Sequence, residues 1–181
     1  MEPASQPGHR GRSLVSLLAQ VESQGIPAAL DTRPGLPAAL CRLLALEGPF
    51  EKGIYDRFLT SYWEGIGFLA GRSPELQGVL RKTMPLSVNL EATDAPLYGH
   101  FRIRNGRIDG GPEMVPFKIQ DVRFFGPVRL LMMFLNNELP LGYSNLSLQS
   151  EGHPGLGRML FPLMAHIARL AGGFGEVGTD P

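Results

Sequence analysis

Cysteine is almost absent from this sequence. Cys41 stands alone, inside the apolar run Leu36-Pro37-Ala38-Ala39-Leu40-Cys41. An internal disulfide framework is therefore excluded, and a reducing, cytoplasmic setting is expected. In that run the thiol reads as a buried structural group and not as a nucleophile. Long apolar runs are missing too. No stretch of about 18 uninterrupted apolar residues occurs, so no membrane span is predicted. Charge of one sign is also missing: Lys+Arg and Asp+Glu number 17 each, for a formal net charge of zero. A nucleic-acid binder carries a basic excess on one face, and none is visible, so no nucleic-acid partner is expected. The densest basic cluster, Arg102, Arg104 and Arg107, straddles a predicted turn and reads as a solvated hairpin end. Charged residues make up only 19% of the chain, below the usual quarter or so. More apolar surface than average therefore needs cover.

Side chains that carry chemistry are sparse. The four histidines show no metal spacing within a helix or hairpin, and one cysteine adds no second ligand. Neither a metal site nor a cofactor is expected. His9 lies in the polar N-terminal stretch. His100 alternates with Phe101 and is expected to face outward. His166 shares the polar face of a helix with Arg158 and Arg169. His153, near Glu151, is the best acid–base candidate; its bland assignment is a turn histidine bonded to backbone. Paired carboxylates are absent from apolar segments. Asp109 and Asp121 fall at strand ends, where aspartate caps or turns, although acids distant in sequence could still meet in the fold. Gly155-Leu156-Gly157 is half a phosphate loop, without the Lys-Ser/Thr ending or a preceding apolar strand. Asn145-Leu146-Ser147 matches a glycosylation sequon, read as chance in a chain with no secretory signal. No catalytic residue is assigned, and the chain is not expected to be an enzyme.

What is present is apolar pattern, with 43% apolar residues. Met1 to Arg12 is polar and rich in Pro and Gly, and reads as a disordered tail. Leu14, Leu17, Leu18 and Val21 recur at helical spacing. They predict a helix from an N-cap at Ser13 to about Gln24, ended by Gly25-Ile26-Pro27. Asp31 to Gly35 is predicted to be a loop, and Leu36 to Leu46 a second helix ending at Gly48-Pro49. Tyr55, Phe58, Leu59, Tyr62, Trp63, Ile66 and Leu69 mark the clearest amphipathic helix, from about Lys52 to Ala70. Its aromatic stripe either covers a sheet or lines a ligand cavity. Ser73-Pro74 starts a helix that runs to about Lys82.

The character changes at Met84-Pro85. Leu86, Val88 and Leu90 alternate with polar residues, as in a half-buried strand. Tyr98 to Arg104 and a return strand from Arg107 flank Asn105-Gly106, the strongest short hairpin signal. Gly110-Gly111-Pro112 is predicted to interrupt the return strand, and Phe117 and Ile119 to mark a further one. Val128 to Leu135 is a helix apolar nearly all round, expected to be buried on most sides. Leu146 and Leu148 mark a last strand. Gly152-His153-Pro154-Gly155 turns into a final helix with Leu156, Leu160, Leu163, Ile167 and Leu170 as its core stripe, bent at Pro162. Hairpin-grouped strands predict an antiparallel sheet with helices on one face. Met132, Met133, Met159 and Met164 fall in the two most buried segments; methionine suits surfaces that take varied apolar partners.

From about Leu86 to Leu170 the sequence resembles the sterol-carrier-protein (SCP) lipid-transfer family. Three features carry the resemblance. The first is the hairpin Phe101 to Ile108 with its Asn-Gly turn. The second is a strand leading into an apolar helix, Phe117 to Leu135, that ends in Asn136-Asn137-Glu138-Leu139-Pro140. The third is the run from Leu146 to Leu160: a strand, a glycine, then Gly155-Leu156 and a leucine-rich helix. The resemblance implies an α+β, SCP-like fold: a mixed, mostly antiparallel sheet of about five strands backed by helices, here with a helical N-terminal extension. It divides the chain into tails at 1–12 and 174–181, a helical segment at 13–83 and an SCP-like domain at 84–173. It implies a tunnel for a sterol-, acyl- or isoprenoid-like ligand, lined by Met133, Phe134 and Leu135 from one helix and Leu156, Leu160, Leu163 and Met164 from the last. Trp63 of the aromatic stripe is the expected contribution from the N-terminal helices.

Partners expected on this basis are an apolar small molecule, partner enzymes or a homodimer, and transient membrane contact. A second reading makes the chain an accessory protein that presents a lipid or quinone precursor to biosynthetic enzymes. A third makes it a small hydrolase or isomerase using His153 and Glu151. Two departures stand out. Tyr143-Ser144-Asn145 replaces a common Gly-Lys pair, and the sequence ends Gly178-Thr179-Asp180-Pro181, with no peroxisomal tripeptide.

Overall fold

The computed structural model describes residues 13–139 and 148–172. The predicted tails, the sequon, the Tyr143 to Asn145 turn and the Leu146 end of the last predicted strand lie outside them.

Five helices come first. In α1 (Leu14–Gln24) the Ser13 hydroxyl accepts from the Ser16 N–H, and the predicted leucine–valine face is the buried one. Gly25, at φ +81°, ends α1 and opens α2 (Ile26–Thr32) at once, where the sequence predicts only a stop. Pro27 sits in the first turn of α2, where its missing N–H would have had no helical partner anyway. α3 (Leu36–Glu47), α4 (Lys52–Arg72) and α5 (Pro74–Lys82) follow the predicted spans closely. The Ser73 hydroxyl caps α5 by accepting from the Leu76 N–H at 3.2 Å.

The strands β1 (Leu86–Ala92), β2 (Tyr98–Arg104), β3 (Arg107–Pro112), β4 (Val122–Gly126) and β5 (Gln149–Gly152) form one sheet in the order β3-β2-β1-β4-β5. β1 and β4 run parallel and every other pair antiparallel. This is the mixed, mostly antiparallel α+β architecture implied by the resemblance to the SCP family. The β2–β3 turn places Asn105 at φ 52° and Gly106 at φ 73°, the paired left-handed conformation that favours Asn-Gly. Two helices complete the fold, α6 (Val128–Leu135) and α7 (Pro154–Ala171), the latter containing Pro162.

Three strand expectations are corrected. The last strand does not include Leu148 but runs from Gln149 to Gly152, where the sequence predicts a turn at Gly152. Gly110-Gly111-Pro112 does not interrupt β3 but belongs to it. A β-carbon at Gly110 would lie 2.5 Å from the His100 carbonyl oxygen and 2.7 Å from Trp63 Cγ. Glycine is what lets the indole lie flat on the sheet. Phe117 to Ile119 is not a strand but a 3-10 turn, with Phe117 exposed. The strand is β4, five residues further on, where Val122 and Phe124 alternate with Arg123 and Phe125.

The inner face of the sheet carries Leu86, Val88, Leu90, Phe101, Ile103, Ile108, Val122 and Phe124, all buried. α4 lies against β3 and β2, α1 and α2 pack on α4 and on each other, and α3 packs on α4 and α1 on one side and on α6 and α7 on the other. One continuous core runs from Leu14 to Ala171, across Met84-Pro85. The 13–83 segment and the rest of the chain therefore share their interior. The outer face is polar but not bare. β1 is more than half-buried, because Asn89, 1% exposed, holds the 113–121 segment over it. Its amide accepts from the Val115 N–H at 2.8 Å and donates to the Val115 carbonyl at 3.0 Å and to Gln120 at 2.8 Å. The Asp121 carboxylate accepts from the Ser87 N–H at 2.7 Å. Beside it, Arg123 bridges Glu91 and Glu151 across three strands.

Candidate functional site

α6 and α7 meet over the β4 side of the sheet. Phe124, on the inner face of β4, packs against Phe134 of α6 with ring centroids 4.5 Å apart. Phe134 in turn meets Phe161 of α7 edge-on at 6.1 Å. The row starts in the interior, where Phe124 is 2% and Phe134 1% exposed, and ends at the surface, where Phe161 is 40% exposed. Met159, two residues earlier on α7, is 48% exposed. The neighbouring edge strand β5 is exposed along its whole length. Ser150 and Gly152 share the inner face with Phe124 and Val122, so that face is uncovered at its β5 margin.

The predicted lining residues divide into three groups. Phe134, Leu135, Leu160, Leu163 and Met164 all lie in the hydrophobic core, and Leu156 is half-buried in the first turn of α7. Met133 points elsewhere. It lines a surface cavity of about 270 Å³ with Ala45, Leu46 and Arg129, between α3 and α6. Trp63 also lies apart, stacked on Phe101 of β2 at 4.7 Å and pressed on Gly110 of β3. Of the two readings of the aromatic stripe, covering the sheet is the one its position fits. Trp63 Nε1 and the Tyr62 hydroxyl are buried there without hydrogen-bond partners among the described residues.

The row itself was not foreseen. Phe124 was hidden by setting the strand at Phe117 to Ile119, although the Val122-Arg123-Phe124 alternation was there to read. Phe161 lay between two assigned leucines, and no spacing rule singles it out. The cavities described here open at the surface, and none is walled by α6 and α7 together. The lining side chains are packed against one another and the sheet.

The acid–base candidates are engaged separately. His153 Nδ1 accepts from the Gly155 N–H at 3.2 Å and caps α7, while Glu151 pairs with Arg123 at 2.9 Å. His100 Nδ1 lies 2.7 Å from the Glu113 carbonyl, and His166 lies between Arg169 and Glu75. Burial pushes the Cys41 thiol and the Tyr62 hydroxyl well above their ordinary pKa values, so both stay protonated. Among the described residues no cluster of three or more His, Cys, Asp or Glu side chains is placed to hold a metal ion, and no helix is long and apolar enough to cross a membrane.

No family model matches the sequence, and no curated protein does. The chain is similar to solved structures. One, called "UbiJ-SCP2 Ubiquinone synthesis protein", aligns over 66% of this chain and 95% of its own, with 13% identity and a TM-score of 0.49. A structure of the stereoselective inverting sec-alkylsulfatase Pisa1 from Pseudomonas sp. aligns over 83% of this chain and 32% of its own, with 15% identity and a TM-score of 0.37. A double mutant of that sulfatase aligns over 81% and 31%, with 14% identity and a TM-score of 0.35. This chain thus spans about a third of the sulfatase. Identities this low bear on neither ligand nor activity.

Proposed function

We propose that this chain is a carrier that shields an apolar, lipid-like ligand from water, and not an enzyme. The observation that carries the reading is the Phe124–Phe134–Phe161 row. It gives an apolar path from the inner face of the sheet to an exposed ring on α7, beside the exposed edge strand β5. The ligand enters under α7 by displacing Phe161 and Met159, and lies between α6, α7 and β4 against Phe134, Leu160, Leu163 and Met164. A tunnel in this reading opens with the ligand instead of preceding it.

Burying about 400 Å² of ligand surface at about 25 cal/mol per Å² amounts to about 10 kcal/mol. That is comparable with the roughly 8 kcal/mol of micromolar binding, before the cost of association is subtracted. Once that cost is subtracted, apolar burial of this size alone supports binding weaker than micromolar.

Native mass spectrometry of the full chain purified from cells tests the proposal, supported by titration with a fluorescent fatty-acid analogue. A bound lipid, or saturable binding of the analogue, is expected. Phe161→Asp with Met159→Asp should weaken binding at least tenfold while the far-ultraviolet circular dichroism is unchanged. A chain that carries no lipid and ignores the analogue would remove the carrier reading. The narrower role, delivery to a partner enzyme, is read by capture: a biosynthetic enzyme retained by the wild-type chain and lost with the double aspartate variant.

A further inference from the structure

The largest cavity described lies at the other edge of the sheet, where α4, α5 and the β2–β3 hairpin converge. It measures about 920 Å³, near the top of the range of about 300–1,000 Å³ typical of small-molecule sites. Three arginines stand in its wall: Arg72 at the end of α4, Arg81 in α5 and Arg107 at the start of β3. Gln77 and Asn105 add amide groups. Gly67, Ala70, Gly71 and Gly78 leave the helical side without bulk.

No carboxylate lines this cavity. The nearby acids are spent elsewhere: Asp109 on Arg102, and Glu75 on His166 and Arg169. Arg72 is fixed by Asp31 at 3.0 Å and by the Phe68 ring, 4.2 Å from its guanidinium carbon. Arg81 and Arg107 have no ion-pair partner among the described residues. Arg81 is nonetheless positioned: its stem runs beneath the hairpin turn, so that a β-carbon at Gly106 would fall 2.7 Å from Arg81 Cγ. Two of the three guanidinium groups in this concave wall, those of Arg81 and Arg107, thus face it without an acid, although the chain's charges sum to zero. Like charges held together repel unless an anion lies between them, and guanidinium forks match phosphate oxygens in pairs.

We infer that this cavity binds a small molecule through a phosphate or diphosphate group, held by Arg81 and Arg107 with Arg72 completing the cradle. Of the three hairpin arginines, Arg107 is then part of a binding wall and not merely of a solvated turn. The site is separate from the Phe124–Phe134–Phe161 row: β3 and β5 are opposite edges of the sheet. Its test therefore stands or falls independently of the carrier reading.

Isothermal titration of the full chain with inorganic pyrophosphate at low salt tests it. One saturable site is expected. The pair Arg81→Gln and Arg107→Gln should weaken it at least tenfold, while Arg102→Gln, outside the cavity and paired with Asp109, should leave it unchanged. Sedimentation with phosphatidylglycerol–phosphatidylcholine vesicles, against phosphatidylcholine alone, separates the sources. Vesicle binding with the same sensitivity to the arginine pair, and none of pyrophosphate, assigns the phosphate to a lipid headgroup. Where the arginine pair fails to fold, Gly78→Leu replaces it. A β-carbon there meets nothing within 4 Å, so the leucine has room to occupy the cavity with no charge removed and should produce the same tenfold loss. Pyrophosphate and vesicles both ignored, or bound equally by wild type and variants, would overturn the inference.

Discussion

At the scale of single residues, Cys41 and Tyr62 tie stability to pH. Both are fully buried and held neutral by the loss of water around them. In the unfolded chain they release protons near their ordinary values of 9.0 and 10.0. Above those values the unfolded state binds fewer protons than the folded one, so stability falls as pH rises. The slope is about 1.4 kcal/mol per pH unit for each group. The contribution is intact at pH 8 and lost progressively above pH 9. Urea unfolding at pH 8 and at pH 10.5 should show this loss, and Cys41→Ala with Tyr62→Phe should make it smaller. An unchanged slope in the double variant would place the pH dependence in other groups. Tyr62→Phe alone should change stability at pH 7 by less than about 1 kcal/mol, because its hydroxyl has no partner to lose.

Among the secondary elements, the tightest constraint is the seat of α4 on β3. Gly110→Ala drives a methyl group into both the His100 carbonyl and the Trp63 ring. Overpacking of this kind costs about 1–3 kcal/mol, measurable as a lower urea midpoint with unchanged slope. Asn89→Ala should cost a similar amount, since it strands the buried Val115 N–H. These elements also show what a sequence reading reaches. Helices with long apolar stripes and clear caps, such as α4 and α5, were legible because their period is local. The Asn-Gly hairpin was legible for the same reason. Three features were not. α2 was hidden because Gly25 both stops one helix and starts the next. The full length of β3 was hidden because Gly110 answers to Trp63, distant in sequence. The burial of Asn89 depends on a segment that only the tertiary structure lays over it. The site was half legible. Leu160, Leu163 and Phe134 are buried, as their apolar runs implied, but the positions of Met133 and Trp63 depend on a helix rotation and a strand order that no periodicity supplies.

Across the whole molecule, protection from solvent is graded along the sheet. β1 lies at its centre, covered on both faces, while β5 is an exposed edge strand paired only with β4. Amide hydrogen exchange should be slowest at Val88 to Leu90 and fastest, among the strands, at Gln149 to Gly152. The first turns of α7 should exchange with β5. If β5 instead matched β1, α7 would be locked against the sheet, contrary to an entry route beneath it. The placement of α4 also bears on synthesis. Its aromatic stripe leaves the ribosome dozens of residues before the β2–β3 hairpin that covers it, an interval of seconds at about 5–20 residues per second. Throughout that interval Trp63 and Phe58 are sticky nascent surface. The growing chain is therefore a natural client for a holding chaperone, and premature termination between α5 and β2 yields a fragment prone to aggregate.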